Sequence, residues 1–405
     1  MKVLDFFSRF YNSLDRRRLW ILWVANMLWI IMLFSYICCL NSYAASWEEN
    51  IPDLAPLDCK SALLMEAETG RILYEQNADE SLPPASVTKV MTLLLTMEAI
   101  EKGTITLDQM LTASDHAASM GGTQVFLEVG EQMSTEDLLK SVIIASANDA
   151  AVVLAEAIAG SEESFVSMMN SRAAELGMNN THFENTNGLD DTVTNHVTSA
   201  RDIAIMSREL IRHEKILEYS SIWMDTVRNG EFGLTNTNRL VRFYKGATGL
   251  KTGSTSKAKF CISATAKRDG MHLIAVIMGA PTRDVRNAEA TKLLDWGFAN
   301  YSLYTYEAQA LGEIKLLGGS RESIGCETQG ISILVPKGSA SKVTAEVVLP
   351  EEVNAPIAKG DKIGSVRFSL DSQPIGEAEI VISESVERIS FLELLILMLK
   401  RFILC

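Results

Sequence analysis

Residues 83–103 read PPASVTKVMTLLLTMEAIEKG: a double proline, then a run with the apolar spacing of a helix from Ser86 to Glu101, closed by Gly103. Ser86 and Lys89 are about one helical turn apart, so their side chains share one face of the helix. A serine hydroxyl becomes a useful nucleophile only when a base takes its proton. This stretch therefore predicts a serine–lysine pair at the start of a helix.

Two short motifs further along the chain accompany this pair. They are Ser146-Ala147-Asn148, in an alanine-rich helical stretch from Thr135 to Gly160, and Lys251-Thr252-Gly253, at the start of a predicted strand. A single match carries little weight, because the pattern S-x-x-K also occurs at Ser254, Ser256 and Ser339. The order and spacing of the three motifs together are what indicate one active site.

With these motifs, the chain resembles the low-molecular-mass penicillin-binding proteins of the D-Ala-D-Ala carboxypeptidase type. The resemblance includes four further stretches: NTNGLDD (Asn185–Asp191), SARDIAIMSRELI (from Ser199), GLKTGST (Gly249–Thr255) and MGAPTRDVRNAEATKLLDWGF (Met278–Phe298). It implies a serine peptidase that removes the terminal D-alanine from peptidoglycan stem peptides through a Ser86 acyl-enzyme. β-Lactam antibiotics would be covalent inhibitors, and no cofactor would be needed.

The types of the candidate residues indicate how they would divide the chemistry. Lys89 can act as a base only if its pKa is lowered, and burial near a second cation, Lys251, would lower it. The helix amino terminus at Ser86 adds a partial positive charge where negative charge develops during acylation. Ser146 would bridge Lys251 to the leaving-group nitrogen as a proton relay. Asn148 would orient Lys89 and the substrate amide.

The third motif is expected to bind the substrate. The N–H groups of Ser86 and Ser254 would form the oxyanion hole. Gly253 would let the substrate backbone lie against the strand like an added strand. The resemblance further implies that Lys251 to Ser254 lie on the edge strand of the sheet.

The resemblance also implies a carboxylate site and a fold. Arg286, with Arg283 as a neighbouring possibility, would help to hold the free carboxylate of the substrate, and Thr252 would share it. The implied fold is α+β of the β-lactamase/transpeptidase type, an antiparallel sheet flanked by helices plus a helical lobe that forms the other wall of the cleft. A small all-β domain would follow it.

On the residues alone, the chain is a mixed helix and strand domain followed by an all-β one. The patterns predict a hairpin from Cys59 to Tyr74, three strands between Gly246 and Gly279, and helices from Ser199 to His213 and Asn287 to Tyr301. Past residue 305, short alternating segments are separated by Gly, Pro and Asp. The expected divisions are a signal peptide or anchor, a catalytic domain, an all-β domain and a terminal helix: 1–46, 47–303, 304–386 and 387–405.

The amino-terminal segment predicts export. Arg16, Arg17 and Arg18 precede an uncharged stretch from Leu19 to Leu40, and small residues follow it. A helix of about 22 residues reaches roughly 33 Å, enough to cross the hydrocarbon core, so the segment is either a cleaved signal or a retained anchor. In both cases the basic residues place the remainder of the chain at the outer face of the cytoplasmic membrane.

The last residues of the chain, ISFLELLILMLKRFILC, predict a helix that lies on a membrane surface. Ser390, Glu393, Lys400 and Arg401 fall within about 100° of one another on a helical wheel, and the remaining side chains are almost wholly apolar. The alternative is a helix docked onto the β-module.

Composition and charge exclude other classes of partner. The 405 residues carry a net charge of −14 with no basic stripe to offset it, which argues against a nucleic-acid partner. The six cysteines show no disulfide framework and no C-x-x-C spacing. No metal site is predicted, because no HExxH or HxH spacing occurs among the histidines, which are His116, His182, His196, His213 and His272.

Three alternatives share these motifs. A β-lactamase would need a glutamate to activate the deacylating water, and Glu184, 38 residues after Ser146, is the candidate. Its neighbours Phe183 and Asn185 to Leu189 match the carboxypeptidase pattern instead, in which this position is not catalytic. Endopeptidase action on cross-links stays open. A catalytically silent β-lactam sensor is disfavoured, because no motif residue is missing.

Overall fold

The computed structural model describes residues 51–191 and 193–403. The helices are α1 (Lys89–Glu101), α2 (Asp115–Ala118), α3 (Thr135–Lys140), α4 (Asn148–Ala159), α5 (Glu162–Glu175), α6 (Ala200–Leu210), α7 (Glu214–Ser220), α8 (Leu240–Phe243), α9 (Arg283–Asn300) and α10 (Phe391–Ile403). The strands are β1 (Ser61–Glu66), β2 (Ile72–Gln76), β3 (Met110–Thr112), β4 (Gln132–Ser134), β5 (Met224–Val227), β6 (Phe232–Thr235), β7 (Ala247–Thr255), β8 (Lys259–Arg268), β9 (Met271–Ala280), β10 (Tyr301–Tyr306), β11 (Ala310–Leu317), β12 (Ser323–Thr328), β13 (Ile331–Pro336), β14 (Thr344–Val348), β15 (Glu352–Asn354), β16 (Lys362–Leu370) and β17 (Gln373–Ile382).

These residues divide into two compact units. The first unit comprises Pro52–Tyr304 together with Leu334–Ala340, a short segment that returns to it from later in the chain. The second unit comprises Thr305–Ile333 and residues 341–403. The return of Leu334–Ala340 to the first unit has no signal in the sequence pattern, which predicted one division near residue 304.

The first unit is built on a five-stranded antiparallel sheet in the order β2-β1-β9-β8-β7. The predicted hairpin is confirmed as β1 and β2, and the three predicted strands are β7, β8 and β9. The middle strands are buried over most of their length, as expected for a sheet with both faces covered. The strand β7, which carries the Lys251 motif, lies at the edge as predicted.

Helices cover both faces of this sheet. A β-carbon added at Gly297 of α9 would lie 2.7 Å from the Leu273 side chain of β9. This helix therefore packs closely against the face of the sheet that carries Leu273. Ser263 of β8 bonds Ser207 of α6 over 2.7 Å and pairs with Val276 of β9. Because 273 and 276 are an odd number of residues apart, their side chains point to opposite faces. The sheet is therefore sandwiched between α9 and α6.

The predicted helix pair from Thr135 to Gly160 is confirmed with one important difference. The chain passes from α3 into a π turn, Ser141–Ala145, and Ser146 then adopts a left-handed backbone with φ of +69°. Ser146 therefore lies at a break and not inside a continuous helix. Alanine-rich composition favours helix on either side, so the sequence pattern alone did not show the break.

The second unit contains a six-stranded sheet in the order β14-β16-β17-β12-β11-β15. Strand β12 and the second half of β16 alternate buried and less buried positions. In β16, Val366, Phe368 and Leu370 are buried, whereas Arg367 between them is exposed. This two-residue period is the pattern that predicted an all-β module past residue 305. The predicted fold class, an α+β domain followed by an all-β one, is confirmed.

The terminal helix α10 begins with a reciprocal capping arrangement. The Ser390 hydroxyl accepts from the Glu393 N–H over 3.3 Å, and the Glu393 carboxylate accepts from the Ser390 N–H over 2.9 Å. Seven apolar side chains of α10 are more than two-fifths exposed: Phe391, Leu392, Leu394, Leu395, Ile396, Met398 and Leu399. Side chains this exposed are not buried against the strands of the second unit, so the described residues give no support to the alternative of a docked helix.

No helix in residues 51–191 and 193–403 has the length and apolar character needed to cross a bilayer. The predicted signal peptide or anchor at 1–46 lies outside the described residues.

Candidate active site

A short 3₁₀ turn, Ala85–Thr88, presents Ser86 at the start of α1. Ala85 has a left-handed backbone, with φ of +50°, which is unfavourable for a residue that has a β-carbon. The Thr88 hydroxyl donates to the Ala85 carbonyl over 2.8 Å. On the other side, a β-carbon at Gly188 would lie 1.8 Å from the same carbonyl oxygen, so only glycine fits there. The turn that carries Ser86 is therefore held in a strained conformation by its neighbours.

His196 fixes the orientation of the Thr88 hydroxyl. Its Nδ1 atom accepts from the backbone N–H of Glu184 over 2.9 Å. Since a backbone amide can only donate, Nδ1 carries no proton, and Nε2 is the N–H that points at Thr88 Oγ1, 2.8 Å away. Burial lowers the pKa of His196 to about 4, so the ring is neutral at neutral pH. A chain of donors thus runs from His196 through Thr88 to Ala85.

The Lys89 amine has three partners, and their types determine its protonation during catalysis. Nζ lies 3.0 Å from Ser86 Oγ, 2.6 Å from Asn148 Oδ1 and 2.8 Å from the Asn187 carbonyl oxygen. The Asn148 amide is oriented by its Nδ2, which donates to the Gly121 carbonyl over 2.7 Å. Asn148 Oδ1 and the Asn187 carbonyl oxygen are therefore both acceptors, and they can accept the two N–H groups of a neutral amine. A charged Lys89 would donate to Ser86 Oγ, whereas a neutral Lys89 would have its lone pair free to accept from the Ser86 hydroxyl.

Burial and charge both favour the neutral form of Lys89. The side chain is 0% exposed, and no carboxylate among the described residues bonds its amine. Burial lowers the pKa of Lys89 well below its ordinary value, and the nearby Lys251 cation lowers it further, while Asp149 acts in the opposite direction. This direction agrees with the expected effect of a second cation. Lys89 is thus suited to accept a proton.

The backbone break at Ser146 directs its hydroxyl towards the third motif. Lys251 Nζ donates to Ser146 Oγ over 2.9 Å and to the Thr252 carbonyl over 2.9 Å. The loop beside the break is fixed, because the Asn148 N–H donates to the Thr123 carbonyl over 2.7 Å. The buried Asp149 carboxylate accepts from backbone N–H groups of the same loop, which stabilises it.

Lys251 is also wholly buried, at 0% exposed. Burial lowers the pKa of Lys251 to about 7, and the Arg286 guanidinium contributes to the same direction. Burial likewise lowers the pKa of Arg286 to about 10, with Arg283 as the second cause. The three motifs therefore converge on a site rich in buried basic side chains.

The structure gives a second reason for a glycine at position 253, besides the predicted room for the substrate backbone. A β-carbon at this position would lie 2.8 Å from the Ser86 nitrogen and 2.8 Å from the Pro84 carbonyl oxygen. Any side chain would therefore push the nucleophile turn away from β7. Within the described part of the chain, the Ser86 N–H donates to no acceptor, so it is free to bind an oxyanion.

A cleft of about 620 Å³ opens beside the nucleophile. Seven of the predicted residues line it: Ser86, Ser146, Thr252, Gly253, Ser254, Arg283 and Arg286. Lys89, Asn148 and Lys251 lie immediately beneath, where they bond the lining residues or one another. The structure thus brings together every residue that the sequence predicted for the site.

The predicted carboxylate-binding residues lie together at one end of the cleft. Thr252 Oγ1 donates to Thr237 Oγ1 over 2.8 Å. Arg286 is 3% exposed. Among the residues that the structure describes, its guanidinium bonds only the amide oxygen of Asn287, through Nε at 3.1 Å and Nη2 at 2.9 Å. Donors on a buried guanidinium that faces the cleft remain available for a carboxylate.

The glutamate that a β-lactamase would need does not lie in this cleft. The Glu184 carboxylate accepts from the backbone N–H groups of Thr194, at 2.8 Å, and Asn195, at 3.0 Å. These bonds lower the pKa of Glu184 below its ordinary value, so the group is a poor base. Glu184 fixes a loop, which agrees with the interpretation that this position is not catalytic.

Several functional contacts had no signal in the sequence analysis. The Asn187 carbonyl that bonds Lys89 lies in NTNGLDD, a stretch that supports the family resemblance and carries no motif of its own. The spacing of His196 excludes a metal motif but does not indicate its contact with Thr88. Further cleft-lining residues, Thr123, Trp223, Thr235, Asn236, Thr237, Arg239, Arg242 and Phe243, belong to no predicted motif.

Family comparisons agree with this geometry. Residues 48–282 match the family described as D-alanyl-D-alanine carboxypeptidase, and residues 298–388 match the one described as penicillin-binding protein 5, C-terminal domain. The chain is 43% identical over 345 residues to the D-alanyl-D-alanine carboxypeptidase DacF of Bacillus subtilis, which covers 84% of this chain and 88% of that protein. It is 34% identical over 370 residues to DacC of Escherichia coli, covering 88% of this chain and 91% of that protein.

Solved structures show the same relationship. Penicillin-binding protein 5 from Haemophilus influenzae superposes with a TM-score of 0.73 at 34% identity, over 83% of this chain and 100% of that chain. Penicillin-binding protein D2 from Listeria monocytogenes, in its ampicillin-bound form, gives 0.56 at 33% identity over 61% of this chain and 100% of that chain. On its motifs, its site and its sequence, the chain belongs to the D-alanyl-D-alanine carboxypeptidase family of serine peptidases.

Proposed function

We propose that this D-alanyl-D-alanine carboxypeptidase uses Ser86 as its acyl-ester nucleophile and Lys89 as the base. The neutral amine of Lys89 takes the proton of the Ser86 hydroxyl, and Oγ attacks the carbonyl carbon of the penultimate D-alanine. The N–H groups of Ser86 and Ser254 stabilise the oxyanion that forms. The single observation that carries this assignment is the Lys89 amine, which is buried, bonded to two acceptors and 3.0 Å from Ser86 Oγ.

The collapse of the oxyanion expels the terminal D-alanine. Its nitrogen needs a proton, and Ser146, bonded to Lys251, supplies one as a relay. Thr252 and Arg286 hold the carboxylate of the leaving residue, which places the scissile bond over Ser86. Lys89 then gives up the proton that it took from Ser86, which replaces the one that the relay gave to D-alanine, and is neutral again. A water molecule attacks the ester, with Lys89 as the base, and releases the shortened stem peptide.

A soluble form that begins after residue 46 and ends before α10 tests this assignment. Incubated with a tripeptide ending in D-Ala-D-Ala, it should release D-alanine, and Ser86→Ala should release none. Ser256→Ala is the matched control, because Ser256 also begins an S-x-x-K match but lies outside the three motifs. A folded wild-type protein that releases no D-alanine would contradict the proposal.

The same cleft is proposed to bind β-lactams. A β-lactam presents a strained amide and a carboxylate, which match the nucleophile and the Thr252–Arg286 end of the cleft. One relative is described in an ampicillin-bound form. Because Glu184 is engaged by two backbone N–H groups, deacylation is expected to be slow, and the acyl-enzyme should persist.

We further propose that the chain works outside the cytoplasmic membrane, with α10 resting on the membrane surface. Three features support this: the basic and apolar amino-terminal segment, the exposed apolar side chains of α10, and the cell-wall substrate. An exposed apolar helix in water is unfavourable unless a partner or a lipid surface covers it.

Vesicle sedimentation tests this placement. Protein that retains α10 should sediment with phospholipid vesicles, whereas a double variant, Leu395→Glu and Leu399→Glu, should stay in the supernatant because charges enter the apolar face. Val347→Glu, in the second unit, is the control for an exposed apolar residue elsewhere. Equal sedimentation of all three forms would contradict a role for α10.

A further inference from the structure

The cleft is strongly basic although the protein is acidic. Four arginines line it, Arg239, Arg242, Arg283 and Arg286, and no aspartate or glutamate does so within residues 51–191 and 193–403. The whole chain carries a net charge of −14, so this concentration of positive charge runs against the average surface. Of these four arginines, the proposed function assigns only Arg286 to the substrate, where it binds the single carboxylate of the leaving D-alanine. The remaining arginines are therefore in excess of what that substrate needs.

Arg239 and Arg242 are held by aromatic rings and not by acids. The Arg242 guanidinium carbon lies 5.4 Å from the centre of the Trp223 ring and 5.5 Å from that of Phe243, and Arg239 lies 5.7 Å from Phe243. In the described part of the chain neither guanidinium bonds a carboxylate. Other arginines of the same unit do so, as Arg228 bonds Glu131. A stacked guanidinium keeps its in-plane N–H donors free for an anion.

The contacts of Asn238 place these arginines on the leaving side of the scissile bond. Asn238 Nδ2 donates to the Gly249 carbonyl over 2.7 Å, which ties the residue before Arg239 to the beginning of β7. Along β7, Thr252 precedes Ser254, and these residues are proposed to bind the leaving carboxylate and the oxyanion respectively. The leaving residue therefore lies towards the beginning of β7, where Arg239 and α8 are fixed.

We propose that Arg239 and Arg242 form a subsite for a second carboxylate on the leaving group. This inference rests on the proposed function, and it names a substrate class: peptides in which an acidic residue or an acidic peptide follows the D-alanine. The chemistry is the same hydrolysis. The D-alanyl amide bond breaks, the acyl group passes to Ser86 Oγ, the leaving nitrogen takes the proton, and water later cleaves the ester.

Three peptides with the same acyl part and different leaving residues test the subsite: D-alanine, D-glutamine and D-glutamate. D-Glutamate and D-glutamine have nearly the same shape and differ in one carboxylate. Wild type should hydrolyse the D-glutamate peptide with a kcat/KM about tenfold above that of the D-glutamine peptide, mainly through KM. In the double variant R239Q/R242Q this ratio should fall to near one. A ratio within one variant is unaffected by changes in the amount of folded protein.

A charge-matched control separates the subsite from the overall field. R367Q/K342Q removes two exposed cations from the second unit, and its ratio should equal that of wild type. If wild type releases D-alanine but does not distinguish D-glutamate from D-glutamine, the subsite is wrong and the proposed function stands. An unchanged ratio in R239Q/R242Q overturns the subsite as well. If folded wild type hydrolyses none of the three peptides, the proposed function itself fails.

Discussion

The lysines of the active site and those of the second unit differ in burial and in partners. Lys89 and Lys251 are 0% exposed and bond hydroxyl, amide and carbonyl oxygens. Lys315 and Lys362 of the second unit are more than half exposed, and each bonds a glutamate, at 2.9 and 3.0 Å. The same side chain therefore has a lowered pKa in one region, whereas the pKa of Lys362 is raised by its bond to Glu379.

The contrast shows what the active site requires. A buried cation without a carboxylate is unfavourable, and it persists here because a lysine that loses its proton readily can serve as a base. The exposed pairs of the second unit contribute little, since water screens them. Function should thus depend on the buried lysines, whereas stability should not.

Lys89→Met is expected to have the largest effect on activity. Without the base, acylation by a fluorescent penicillin should slow by about 10³-fold. Stability at neutral pH should stay equal or rise, because methionine fills a similar volume without a buried charge. Thermal unfolding and acylation rates measured on the same sample test the expected effects on stability and on activity. A large loss of stability together with normal acylation would contradict the inference that the buried lysines serve function and not stability.

The same pair of proteins should differ in the pH dependence of stability. The pKa of Lys89 is lower in the folded state than in the unfolded state, so the unfolded chain binds more protons between the two values. Wild-type stability should therefore rise more steeply than that of Lys89→Met as the pH increases towards 10.5, the ordinary lysine value. Parallel curves from urea unfolding at several pH values would contradict this.

Lys251→Gln should move the pH profile of acylation. Acylation needs neutral Lys89, so the rate rises with pH through the Lys89 pKa. Lys251 lowers that pKa, and its removal should shift the rising limb to higher pH. Lys362→Gln, the exposed counterpart, should leave the limb in place. A limb that moves to lower pH, or does not move, would show that Lys251 acts in another way.

Thr88→Val tests the chain from His196 to the nucleophile turn. The change leaves the Ala85 carbonyl and the His196 N–H without their buried partner, so stability should fall by about 1–3 kcal/mol. Acylation should slow by about fivefold to tenfold because the Ser86 turn loses one of its constraints. Thr88→Ser keeps the hydroxyl and should restore most of the rate. Equal acylation rates in the two variants would show that the Thr88 hydroxyl does not position Ser86.

Glu184→Gln is expected to have the smallest effect in the first unit. The amide keeps an oxygen that accepts from the Thr194 and Asn195 N–H groups. Deacylation of a bound penicillin should therefore change by less than about twofold, within the range of ordinary surface substitutions. A large fall in deacylation would instead identify Glu184 as the base of a β-lactamase.

Much of the fold and of the site was predictable because the signals are local. Ser86 and Lys89 are three residues apart, so helical geometry alone brings them together. The strands β7 to β9 follow one another along the chain and pair as neighbours, which a sequence of three strand patterns already indicates.

The remaining contacts depend on residues that are distant in the chain. The Asn187 carbonyl that bonds Lys89 and the His196 ring that bonds Thr88 are 98 and 108 residues away from their partners. A backbone carbonyl has no residue type to mark it, and a buried histidine resembles any core histidine in sequence. The left-handed Ser146 was hidden in the same way, because helix propensity on both sides masks a single break.

Peptide mapping after brief exposure to benzylpenicillin tests the central claim most directly. The mass of one penicilloyl group should appear on the peptide that contains Ser86, and it should disappear in Ser86→Ala. The protein also carries S-x-x-K at Ser254 and Ser256, so the mapped position discriminates among the candidates. An adduct on either of those serines, or one that persists in folded Ser86→Ala, would contradict the assignment of Ser86 and Lys89 as nucleophile and base.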